Sequence, residues 1–147
     1  MDRILHHTAH LDAPPFVAFE LFATSAGLMR WLVPLAEVEP IVGGKYELFW
    51  NPDDRENDST LGCKVTAVVP ERLLAFEWRG PRQYKHFMNQ ADPLTHVVVS
   101  FFPEDDGTRV DLIHSGWRGT PEWEEARQWF GTAWRLGFEA LAPIAAG

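Results

Sequence analysis

The feature that most constrains the fold is an amphipathic helical pattern near the C-terminus, which follows a long run of segments with strand periodicity. Thr120 and Pro121 supply a start signal, since threonine can cap a helix and proline is favoured in its first turn. At about 100° per residue, large apolar side chains collect on one side and charged side chains on the other. The apolar side comprises Trp123, Ala126, Phe130, Trp134, Gly137, Phe138 and Leu141. Such a helix needs a broad apolar surface to cover, and Pro143 is predicted to end it.

The N-terminal third predicts a strand followed by two short helices. The strand covers residues 3–11, and the segment 12–15 breaks it with two prolines. Asp12 is expected to cap the first helix, because a carboxylate accepts hydrogen bonds from the free N–H groups of a first turn. The second helix is predicted over residues 25–31. Two short helices in succession are expected to pack together against one end of a sheet.

From residue 35 the apolar pattern changes to a period of two, which is typical of half-buried strands. Strands are predicted at 38–41, 46–50, 62–69, 72–78, 94–102 and 108–114. Their short connections favour antiparallel neighbours. The predicted fold class is α+β, with about six or seven antiparallel strands in a curved sheet around one long C-terminal helix.

Length and charge restrict the function. A chain of 147 residues is predicted to form a single domain over residues 1–147. Its formal charge of -8 argues against nucleic-acid binding and against docking on anionic membranes, which both need a basic surface. No stretch has the apolar character of a signal peptide or a membrane span, so we expect a cytoplasmic protein without membrane insertion. Cys63, the one cysteine, is predicted to be a small buried strand residue.

Several motifs occur in an order that resembles a known superfamily. They are His10-Leu-Asp-Ala-Pro-Pro15, Val42-Gly-Gly-Lys-Tyr46, Gly62-Cys-Lys-Val65 and Thr108-Arg-Val-Asp-Leu112 with Gly116-Trp117. The chain is similar to the START-like (SRPBCC) superfamily, in particular to the branch related to the activator of heat-shock protein 90 ATPase. The resemblance implies a helix-grip fold with a cavity between sheet and helix. The resemblance implies no shared catalytic motif. A chain of this length is not expected to accommodate the second domain of the eukaryotic co-chaperone.

The facing surfaces of sheet and helix either form plain core or line a ligand cavity. A dry void of about 300 Å³ would cost roughly 7 kcal/mol, so a cavity there should be small, wet or occupied. The candidate ligand-binding residues are Tyr46, Leu48, Trp50, Phe76, Trp78, Val97, Val99, Val110, Leu112 and His114 from the strands, and Arg127, Phe130, Trp134 and Phe138 from the helix.

His114 is the polar candidate on this inward face, because it alternates with Val110 and Leu112. Arg127 and Tyr46 are its expected companions. Such a convergence would orient the polar head of a ligand or serve acid–base chemistry. The alternative is a structural histidine bonded to the backbone.

The first strand, the acidic loop and the segment after the strand at 72–78 remain to be interpreted. His6 and His10 lie about 13 Å apart along an extended strand, too far to share a metal ion, so no metal or other cofactor is expected. The acidic loop at 51–60 is predicted to be a solvated hairpin tip. The segment Gly80 to Pro93 is longer than a hairpin requires. It is interpreted as a lid or portal, a dimer contact or an ordinary extended loop.

The leading functional hypothesis is the binding of a small hydrophobic or amphipathic molecule between sheet and helix. A co-chaperone-like regulator of a heat-shock ATPase, and a cyclase- or hydrolase-type enzyme using polar cavity groups, are the alternatives. We expect a binding protein rather than an enzyme. A homodimer is one alternative for its assembly, and a chaperone is a further candidate partner.

Overall fold

The computed structural model describes residues 3–147 and orders them as seven strands and four helices. The chain begins with a strand and two helices, continues through strands interrupted by one short helix, and ends in a long helix. The elements are β1 (Leu5–Leu11), α1 (Pro15–Ala23), α2 (Ser25–Leu28), β2 (Leu35–Val38), β3 (Tyr46–Phe49), β4 (Val65–Val69), β5 (Leu73–Trp78), α3 (Lys85–Met88), β6 (Thr95–Glu104), β7 (Gly107–Ser115) and α4 (Pro121–Ala146).

The strands form a five-stranded antiparallel sheet in the order β1-β7-β6-β5-β4 and a two-stranded sheet of β2 and β3. Backbone hydrogen bonds join the two sheets where β3 and β4 begin. Tyr46 N donates to Cys63 O at 2.9 Å, and Val65 N donates to Gly44 O at 2.8 Å. Together the strands make one curved surface against α4. The predicted α+β helix-grip architecture is confirmed.

Alternation along the strands decides which residues form the core. In β5, Leu74, Phe76 and Trp78 face inward and are buried, while Glu77 lies on the other face. The inward residues of β6 and β7 are equally buried, as are the apolar residues on the inward face of α4. Thr120 caps α4, since its side-chain oxygen accepts a hydrogen bond from Trp123 N at 3.4 Å. The predicted apolar faces of sheet and helix are therefore confirmed.

The predicted end of α4 at Pro143 is wrong, because the helix continues through Pro143 to Ala146. Proline removes one N–H donor from the ladder, yet its carbonyl still accepts a hydrogen bond from Gly147 N at 3.2 Å. The last turn also buries Ala145 against the core.

Three local predictions near the N-terminus are also wrong. Asp12 does not cap α1, because Pro14 occupies the N-cap position and supplies no side-chain hydrogen bond. Helix α2 ends at Leu28, short of the predicted Trp31, and Ile41 lies outside β2 with 62% of its surface exposed. Among residues 3–147, no helix combines the length and apolar character needed to cross a bilayer.

Candidate functional site

One end of the space between sheet and helix is open. There a cavity of about 290 Å³ lies between the end of β5, the middle of α4 and the loops that follow β3 and β5. Aromatic side chains dominate its wall, and polar side chains lie along one side. The lining residues are Leu32, Trp50, Asp58, Ser59, Trp78, Arg79, Gly80, Pro81, Gln83, Trp129, Phe130, Ala133 and Trp134.

The structure brings four of the predicted ligand-binding residues to this cavity: Trp50, Trp78, Phe130 and Trp134. Trp50 follows β3 and is 41% exposed, while the other three are buried in its inner wall. The remaining candidates do not line the cavity. These are Tyr46, Leu48, Phe76, Val97, Val99, Val110, Leu112, His114, Arg127 and Phe138. Apart from Arg127, which is half-buried, they are buried in the packed core.

Sequence reasoning missed most of the polar lining, because it comes from loops. Asp58 and Ser59 belong to the acidic loop after β3, and Pro81 and Gln83 belong to the segment after β5. The unusual length of the segment from Gly80 to Pro93 was the available signal. On the helix, Trp129 is adjacent to Phe130 and was overlooked because it lies at the edge of the apolar arc.

The two loops hold each other at the rim of the cavity. Arg82 N donates to Asp58 Oδ1 at 2.7 Å, and Arg82 Nη2 donates to Asp54 Oδ2 at 3.1 Å. Lys85 Nζ donates to Asn57 Oδ1 at 2.8 Å. The acidic loop, predicted as a solvated hairpin tip, is exposed over much of its length and also docks on the segment after β5. We call these contacts the rim clasp.

The segment after β5 is also anchored to α4 from the apolar side. The Tyr84 ring packs edge-on against Trp129 with centroids 6.0 Å apart, and Phe87 packs against Trp123 at 5.1 Å. The segment from Gly80 to Gln83 thereby forms a fixed part of the cavity wall.

Behind the cavity wall, His114 is completely buried and bonded at both ring nitrogens. Trp134 Nε1 donates to His114 Nδ1 at 3.1 Å. An indole nitrogen can only donate, so Nδ1 is the unprotonated nitrogen and Nε2 carries the hydrogen. His114 Nε2 lies 3.0 Å from Thr95 Oγ1, which in turn donates to Trp78 O at 3.4 Å. The histidine thus fixes the indole of Trp134 and the backbone at Trp78.

The predicted convergence of His114 with Arg127 and Tyr46 is wrong. Arg127 instead pairs with Glu124, three residues earlier on α4, through contacts of 2.6 and 2.9 Å. The Tyr46 hydroxyl donates to Phe22 O at 2.7 Å. Burial lowers the pKa of His114 to about 3, so its ring is neutral near pH 7. Since it lies behind the lining residues Trp134, Phe130 and Trp78, its observed role is to hold the wall.

The sequence profile of the family described as activator of Hsp90 ATPase homolog 1-like protein matches residues 12–146. The chain belongs to this family. No curated protein matches the chain significantly in sequence.

Solved structures share the fold of this family member along nearly its whole length. A crystal structure from Mesorhizobium loti has a TM-score of 0.76 at 21% identity, covering 97% of this chain and 96% of the other. The Aha1 dimer from Colwellia psychrerythraea has a TM-score of 0.75 at 18% identity, covering 98% and 96%. An AHSA1-like protein from Rhizobium etli has a TM-score of 0.71 at 24% identity, covering 100% and 84%. At these identities the likeness shows the fold alone.

Two other features of this family member bear on its chemistry, the single cysteine and the side chains that could bind a metal ion. Cys63 is buried as predicted, and burial raises the pKa of its thiol to about 12, which disfavours the reactive thiolate. Across the described residues 3–147, no group of three or more histidine, cysteine, aspartate or glutamate side chains is arranged to hold a metal ion.

Proposed function

We propose that the protein binds a small hydrophobic or amphipathic molecule in the cavity between the sheet and α4. The observation that carries this proposal is the lining of the cavity, which combines four tryptophans and Phe130 with a few polar groups on one side. Ligand sites are typically concave, mostly apolar and supplied with a small number of polar groups that orient the ligand.

The exposed apolar surface of the cavity supports the same proposal. The cavity is open at one end, so water fills it, and Trp50 and Trp129 are 41% and 39% exposed there. Removing apolar surface from water contributes about 25 cal/mol per Å². A ligand with an apolar body would cover these indoles and gain that contribution.

Two matched alanine variants on α4 test the proposal. Ala133 lines the cavity, whereas Ala140 is exposed on the same helix outside it. Tryptophan fluorescence and native mass spectrometry, with lipids and aromatic metabolites as ligands, should detect at least one binder. Ala133→Phe should abolish that binding by filling the space, and Ala140→Phe should leave it unchanged. Absence of any binder, or equal binding by both variants, would contradict the proposal.

The hypotheses of a homodimer, a co-chaperone and an enzyme each have a separate test. The Colwellia structure is described as a dimer, which supports measuring self-association of this chain by sedimentation. A co-chaperone role predicts stimulation of a heat-shock ATPase. The enzymatic alternative relied on His114 or another polar group of the cavity, and the His114 ring is neutral, hydrogen-bonded at both nitrogens and outside the cavity lining.

A further inference from the structure

The polar side of the cavity is built around Asp58. Its backbone has a positive φ of 52°, a conformation that aspartate and asparagine tolerate better than most residues. Trp50 N donates to Asp58 O at 3.2 Å and fixes the loop beside the cavity. The structure therefore holds this aspartate at the rim in a demanding conformation.

The Asp58 carboxylate keeps capacity to accept a further hydrogen bond. Oδ1 accepts from Arg82 N at 2.7 Å, whereas Oδ2 lies 3.9 Å from Arg82 Nε, which is beyond hydrogen-bond distance. The side chain is 37% exposed, so a bound molecule can reach it. A carboxylate only accepts, and it binds a hydroxyl or an amine directly.

Among the neighbouring polar groups, the Gln83 amide can donate or accept, whereas Ser59, Arg79 and Arg82 already have partners within the protein. Ser59 Oγ donates to Arg55 O at 2.6 Å, so its hydrogen is already used. Arg82 pairs with Asp54 as well as Asp58. Arg79 also lines the cavity, and its Nη1 donates to Asn89 O at 3.2 Å.

We infer that the ligand has an apolar body and a hydrogen-bond donor head, a hydroxyl or an amine, and that Asp58 selects this head against a carboxylic acid. This inference rests on the proposed function, because it assigns the ligand class of the same cavity. An acid would place a second carboxylate beside that of Asp58 at the rim of the cavity, where like charges repel.

Three naphthalene probes with the same apolar body test the selection on the unmodified protein. They are naphthylmethanol, naphthylmethylamine and naphthoic acid, all substituted at the same ring position. Isothermal titration calorimetry should show the alcohol and the amine binding at least about tenfold more tightly than the acid, as expected for one hydrogen bond to a charged group. Equal or tighter binding of the acid would overturn the inference while leaving the proposed function intact.

Two variants of the acidic loop attribute the selection to Asp58. Asp58→Asn keeps the shape and the tolerated backbone conformation but removes the charge, and it should abolish the tenfold preference. Asp53→Asn, on the same loop but outside the cavity lining, should retain the preference. A preference that persists in Asp58→Asn would overturn the inference. If none of the three probes binds the unmodified protein, the proposed function fails, and the inference fails with it.

Discussion

The two ends of the space between sheet and α4 have the same apolar pattern but different packing. At the closed end, the Tyr46 ring stacks on Phe76 at 3.7 Å, and Phe22 packs edge-on against Phe101 and Phe138. At the open end, Trp50 and Trp78 lie 6.0 Å apart beside the cavity. Helix α1 supplies Phe22 to fill the closed end, whereas loops take the corresponding place at the open end. The comparison shows that the neighbouring elements decide whether an aromatic surface becomes core or cavity wall.

His114 lies at the boundary between these two ends. On one side it is buried within the packed core, and on the other it holds the indole of Trp134 at the cavity wall. Few side chains pack against the aromatic rings on the side that faces the cavity. Hydrogen bonds such as that between Trp134 and His114 therefore hold the rings in place.

The largest expected effect comes from removing this boundary residue. His114→Ala leaves a void and deprives Trp134 Nε1 and Thr95 Oγ1 of their partner, so it should destabilise the protein by about 3–5 kcal/mol. Urea unfolding measures the change. His10→Ala, which removes an exposed ring paired with Glu104, should cost less than about 1 kcal/mol. Similar losses in both variants would contradict the account of His114.

Adding volume at each end tests the difference in packing directly. Val97 is completely buried at the closed end, so Val97→Phe should cost about 1–3 kcal/mol through overpacking. Ala133→Leu at the open end should change the free energy of unfolding by less than about 0.5 kcal/mol, since space is already present. An equal penalty at both positions would show that the open end is as solid as the closed one.

Acidification should lower the free energy of unfolding through His114. The unfolded chain takes up this proton near pH 6.5, but the folded protein resists it until about pH 3. Since the unfolded state then binds more protons, stability should fall as pH drops below 6.5, by up to about 1.4 kcal/mol per pH unit for this group. Burial also lowers the pKa of His7 and His96, which adds to the loss in the same direction.

Urea unfolding between about pH 7 and pH 5 measures this slope above the range where carboxylates titrate. His114→Gln preserves polarity without a titrating ring, so its slope should be shallower by about one proton. Identical slopes for the two proteins would contradict a neutral, buried His114.

The smallest expected effect concerns the rim clasp. Arg82→Gln removes exposed ion pairs with Asp54 and Asp58, so stability should fall by less than about 1 kcal/mol. Arg135→Gln, which breaks the exposed pair with Glu139 on α4, should have a similar global effect. Only Arg82→Gln should speed amide hydrogen exchange in the segment from Gly80 to Gln83. Equal exchange rates in the two variants would show that the rim clasp does not hold this part of the cavity wall.

The fold could be predicted from the sequence because the spacing of apolar residues determines which segments form strands and which form helices. Leu74, Phe76 and Trp78 occupy every second position of one strand, which places them on the same face. The apolar side of the C-terminal helix, from Trp123 to Leu141, carries side chains large enough to cover that face. The ends of elements were less predictable, since Pro143 lies in a last turn where the loss of one donor is tolerated.

The site was predictable only in part, because it depends on contacts between distant segments. The glutamate three residues before Arg127 already offered that side chain a partner on the same helix face. The hairpin register, which pairs His114 with Val97, brings Thr95 onto the same inward face. By contrast, no local pattern places Asp58 beside Arg82, since the acidic loop and the segment after β5 meet only in the folded chain.

The most direct test of the ligand cavity uses the indole N–H groups of the seven tryptophans. A proton–nitrogen correlation spectrum recorded while naphthylmethanol is added reports on each indole separately. The account predicts saturable shifts at the indoles that line the cavity, which are Trp50, Trp78, Trp129 and Trp134, and little change at the others, which are Trp31, Trp117 and Trp123. Absence of shifts, or equal shifts at all seven indoles, would contradict a ligand site at the open end of the grip.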